Sequence, residues 1–110
     1  MKYKKEIILI LDDILDDYYY LWECFSIFEQ YIKQEYNSKN RFIDALKEAY
    51  VNKYFDFYIG ENFNGDEKLI QNFELTNEII EKLLDYNHNS TKQIRVTTSD
   101  LGIKFLNQHR

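Results

Sequence analysis

A chain of 110 residues is the size of one small domain, and 45% apolar with 30% charged residues is a globular composition. No apolar run approaches the ~20 residues of a membrane span, and Ile7–Leu11 is too short for a signal-peptide core, so a cytoplasmic chain is expected. The lone cysteine, Cys24, excludes an internal disulfide framework, and a net charge of −5 disfavours the phosphate neutralisation that nucleic-acid binding needs.

In chain order, Tyr3 to Leu15 predicts an amphipathic helix. Ile7, Ile8, Leu11, Ile14 and Leu15 fall on one face at the spacing i, i+1, i+4, i+7, i+8. A second helix is predicted from about Tyr18 to Glu35, with Leu21, Cys24, Phe25, Phe28 and Ile32 as its stripe. After the turn chemistry of "YNSKN", a third runs from about Arg41 to Lys53 on Phe42, Ala45, Leu46, Ala49 and Tyr50, with Ser38 or Asn40 as cap. The period then changes to two. In "YFDFYIG", Phe55, Phe57 and Ile59 face one way while Tyr54, Asp56 and Tyr58 face the other, which predicts a strand ending at Gly60. "LTNEIIEKLLDYN" predicts a short helix capped by Thr76. "KQIRVTT" alternates as a second strand. "SDLGIKFLNQH" closes the chain as a helix capped by Ser99, with Leu101, Phe105 and Leu106 inward.

This order, together with "FIDALKEAYVNKYFDFYIG" and "IRVTTSDLGIKFL", resembles the winged helix-turn-helix superfamily. The first stretch is similar to the third helix running into the first wing strand. The second is similar to the other wing strand followed by a Ser-x-x-Gly helix start. The resemblance implies one α+β, winged-helix-like domain over residues 1–110. It would have three N-terminal helices, a two-stranded wing and a C-terminal helix; this chain departs from that pattern by an acidic helical segment inserted between the wing strands. The span from Gly60 to Lys92 carries seven acids against three lysines, a net of −4, where a DNA-binding wing is basic. If the third helix reads DNA, Arg41 and Lys47 are the expected contacts.

The spacing DDxxDD at Asp12, Asp13, Asp16 and Asp17 invites a metal site, since hard cations bind carboxylate oxygens. An isoprenoid-type site, however, needs a large helical bundle and a second facing acidic motif. Acids near a helix C-terminus also oppose the macrodipole. The stretch therefore predicts a junction: one helix ends near Leu15, and Asp16 or Asp17 caps the next. No metal, cofactor or nucleophile–base pair is expected. Cys24 lies on an inward stripe, and neither His88 nor His109 has partners at ligand spacing.

The chain has 19 aromatic residues, ten of them tyrosine. A low-GC genome and a tyrosine-rich binding face would both give that bias. Tyr18 and Trp22 are expected either to pack against the final helix or to serve as exposed aromatic anchors. The expected function is a non-enzymatic protein-binding module of the immunity or antitoxin kind. It would neutralise a toxin domain through Tyr18, Trp22, Glu61, Asp66 and Glu67. The alternative is a DNA-binding winged-helix transcriptional regulator.

Overall fold

In the computed structural model the chain is described over residues 2–32, 37–60, 68–85 and 94–110. The order is α1 (Lys4–Asp13), α2 (Leu21–Tyr31), α3 (Ser38–Val51), β1 (Phe55–Ile59), β2 (Lys68–Leu69), α4 (Asn77–Leu84), β3 (Ile94–Thr98) and α5 (Asp100–His109). The class is α+β: the described residues form five helices and an antiparallel three-stranded sheet of order β2-β1-β3. Among the described residues no helix is long and apolar enough to cross a membrane.

α1 is the central post. Ile7, Ile10, Leu11 and, just past its end, Ile14 are fully buried, and the helix packs on α2, α3, α5 and β3. Its C-terminal carbonyls, which a helix leaves without internal partners, are taken up by the sheet. The Thr98 hydroxyl donates to Leu11 O at 2.8 Å, while the Thr98 amide and the Thr97 hydroxyl donate to Ile14 O. Phe28 of α2 and Phe42 of α3 meet with ring centroids 5.1 Å apart, and Phe55 and Phe57 of β1 close the core beneath Tyr50.

The structure corrects several sequence expectations. The sheet is not a two-stranded wing: β2 pairs with the outer edge of β1, and the inserted α4 packs back on α2 through a helix face that buries Ile80 and Leu83. α2 begins at Leu21, and neither Asp16 nor Asp17 caps it. Asp16 sits at φ 73°, and Asp17 instead accepts a hydrogen bond from the Tyr18 amide at 2.7 Å. The N-cap of α2 is Tyr20, whose amide donates to Glu23 Oε1 at 2.9 Å. α3 starts at Ser38, whose hydroxyl donates to Glu29 rather than capping, and Asn40 lies inside the helix. Leu101 faces solvent at 51% exposure, because the inward face of α5 is Gly102, Phe105 and Leu106. Thr76 and Ser99 cap α4 and α5 as expected, accepting from Ile79 N and Gly102 N.

Candidate functional site on the outer face of the sheet

Antiparallel pairing places directly opposed side chains on one face. Phe55 opposes Thr98 and Phe57 opposes Val96, so these four look into the core. Asp56 opposes Thr97, and Tyr58 opposes both Arg95 and Leu69, so these five look outward. The segment between α1 and α2 joins the sheet here. Tyr19 makes an isolated antiparallel bridge with Val96, with N–O distances of 2.9 and 2.7 Å. Tyr19 therefore shares the inner face, and alternation turns Tyr18 and Tyr20 outward.

The outer face is aromatic. Tyr18 meets Tyr58 edge to face, with centroids 5.0 Å apart at 75°. Trp22, in the first turn of α2, stacks on Tyr20 at 5.9 Å and 12°. The guanidinium of Arg95, only 2% exposed, lies 5.3 Å from the Tyr20 ring centroid, within cation–π range. Carboxylates rim these rings. Burial and then the neighbouring Asp100 push the Asp56 carboxyl up, and burial followed by Asp56, Tyr18 and Asp100 pushes the Tyr58 hydroxyl up. Tyr19 is raised by burial and then by Asp17 and Asp16. The phenols of Tyr19 and Tyr58 thus stay protonated at neutral pH.

Asp56 and Leu69 also border an open groove of about 700 Å³ at the end of α3, lined further by Tyr50, Lys53, Ile70 and Phe73.

Of the residues singled out from sequence, Tyr18 and Trp22 both reach this face. Tyr18 does so from the segment before α2 and Trp22 from the first turn of α2, so the two are not an i, i+4 pair on one helix. Glu61, Asp66 and Glu67 lie outside the described residues, as does His88. His109 lies against Phe105 with the ring centroids 4.4 Å apart, tilted by 36°. Arg41 is tied to the buried Glu6 at 3.2 Å, and Lys47, six residues on and so roughly 120° around the helix, borders a hollow with Tyr50, Val51 and Leu75. The two bases do not share one face.

The Asp pairs do not converge either. α1 ends at Asp13, so the i, i+4 geometry is lost. Asp12 pairs with Arg110, and among the described residues no group of three or more His, Cys, Asp or Glu side chains could hold a metal. Cys24 is buried, and burial pushes its thiol well above the usual range, so it stays protonated and unreactive.

The sequence analysis missed Tyr20, Tyr58, Arg95, Asp56 and Asp100 as site residues. The signal was present in the two-residue alternation of Tyr18 with Tyr20 and of Asp56 with Tyr58. What joins those two stretches is the Tyr19–Val96 bridge, which spans 77 positions and has no local signature.

Comparison with protein-family models, with curated proteins and with solved structures finds no match to this chain.

Proposed function

We propose that this chain is a non-catalytic protein-binding module that docks its partner on the outer face of the sheet. The observation that carries the proposal is the Tyr18–Tyr58 pair beside Asp56 and Asp100, on the face opposite the core. Aromatic side chains supply large contact area at low entropic cost and dominate interface energetics. A toxin domain suits this reading, with the chain as its immunity protein or antitoxin. The net charge of −5 would speed encounter with a basic partner, since complementary charge raises association rates.

The winged-helix likeness belongs to the same proposal. It is supported by three helices leading into an antiparallel β1–β3 pair, with Tyr19 bridging the far side of β3. Fold by itself does not carry DNA binding. On α3, Arg41, one of the two bases that a regulator would use, is engaged by Glu6.

The test is recovery of a partner on the immobilised chain, followed by titration of that purified partner against wild type and the Tyr18→Ala/Tyr58→Ala double variant. A loss of at least ~2 kcal/mol, as for interface hot spots, is expected. Unchanged affinity in a folded variant would place the interface elsewhere.

A further inference from the structure

The chemistry of this face points to one kind of anchor on the partner. We infer that the outer face receives an arginine side chain from the docked protein, seated against Tyr18 and Tyr58 and paired with Asp56 and Asp100. The inference rests on the docking reading above and names its chemistry.

Three observations carry it. First, Tyr18 and Tyr58 are half-buried and stand edge to face on the outer side of the sheet, which puts two aromatic rings within reach of one cation. A guanidinium is the cation best suited to that surface, being planar, weakly hydrated and able to stack while its N–H fork meets carboxylates. Second, acids border the pair. Asp56 lies two residues before Tyr58 on the same strand and face, and Asp100 opens α5 three residues after Thr97, the cross-strand partner of Asp56. On the other side Asp17 accepts from the Tyr18 amide at 2.7 Å. Among the described residues, the ion pairs engage Lys39, Arg41, Lys82 and Arg110, and none involves Asp16, Asp17, Asp56 or Asp100. These four carboxylates thus carry no close ion pair with another described side chain, while Arg95, opposite Tyr58, is the cation that the face itself contributes. Third, the face already holds one guanidinium in the proposed manner: Arg95 lies over Tyr20, on the same side of the sheet. The surface is thus suited to stacked arginine, and its outward acids are complementary to an incoming cation.

The experiment titrates the intact chain with three peptides of equal length, rich in arginine, lysine or glutamate, and with a DNA duplex. The readouts are the ring resonances of Tyr18 and Tyr58 and the fluorescence of Trp22, the single tryptophan. The arginine peptide should shift Tyr18 and Tyr58, bind several-fold more tightly than the lysine peptide, and weaken as salt shortens the Debye length. Asp56→Asn/Asp100→Asn should weaken it about 10-fold with the melting temperature retained. Asp100→Asn alone, at an exposed position, gives a milder second variant.

Equal response to lysine would remove the stacked guanidinium. A response to the glutamate peptide or the duplex, no response to any peptide, or ring shifts away from Tyr18 and Tyr58 would overturn the inference. The two levels separate cleanly. If Tyr18→Ala/Tyr58→Ala abolishes binding of the natural partner while the Asp variants and salt leave it unchanged, the docking face stands and the arginine anchor falls.

Discussion

Gly102 shows how one residue can be fixed by its surroundings. A Cβ there would overlap the Tyr54 carbonyl and come within 2.6 Å of Thr98 Cγ2. The first obstacle is backbone and cannot rotate away. Gly102→Ala should therefore destabilise the fold by ~1–3 kcal/mol or more, as overpacking does. A denaturant midpoint equal to wild type would show that α5 can shift outward at no cost. Asp13 is a second such residue. Its Oδ2 is buried without a hydrogen-bond partner among the described residues, and burial, then Asp12, pushes the carboxyl from 3.8 to about 6. The folded state thus binds this proton more tightly than the unfolded state, and stability falls as pH rises from about 4 through about 6. Discounted for partial solvent access, the effect is on the order of 1 kcal/mol. Asp13→Asn should flatten that part of the stability–pH curve, and an unaltered slope in the variant would assign the effect to another group.

Among the elements, the β3–α5 junction concentrates the local chemistry. The Ser99 hydroxyl accepts from Gly102 N at 3.1 Å and donates to Lys53 O at 2.6 Å, so one side chain caps α5 and ties it to the end of α3. Ser99→Ala should cost about 1 kcal/mol, a fall of roughly 4–8 °C in Tm. No change on a calorimetric scan would mean that water replaces both bonds. The start of α2 was less legible. "LDDILDD" holds four capping-type acids, yet the chain needs residues 15–20 to turn and to pair with Val96 before the helix can begin. That long-range pairing overrides the local cap preference and moves the helix start to Leu21. β2 was missed for a related reason: two residues carry no period, and Lys68–Leu69 is a strand only because the edge of β1 is there to pair with it.

At the scale of the whole molecule, charge and engagement of the bases are the grounds for proposing that duplex DNA is not the partner. Lys39 pairs with Glu81 at 2.7 Å and Arg41 with Glu6, so two of the cations on the candidate recognition helix are already matched. Titration with random duplex at physiological salt should give no affinity beyond the ~10⁻⁴–10⁻⁶ M of non-specific contacts. Sequence-selective, salt-dependent binding tighter than ~10⁻⁷ M, lost in Arg41→Ala/Lys47→Ala, would install the regulator instead.

The sequence by itself determined what local physics controls. The 3.6-residue stripes of Ile7 and Leu11, of Cys24 and Phe28, and of Phe42, Leu46 and Ala49 set which helix faces are buried. The alternation of Phe55 and Phe57 against Asp56 and Tyr58 set the two faces of β1. Thr76 and Ser99 set two helix starts, because a cap needs only a hydroxyl three residues before a free amide. The tertiary structure alone decided that α4 folds back on α2, that Thr97 and Thr98 close the end of α1, and that Tyr18, Tyr20, Trp22, Tyr58 and Arg95 share one surface. Those outcomes depend on pairings between positions tens of residues apart. The register of such pairings is chosen by which arrangement buries the whole core at once, and no window of sequence contains that comparison.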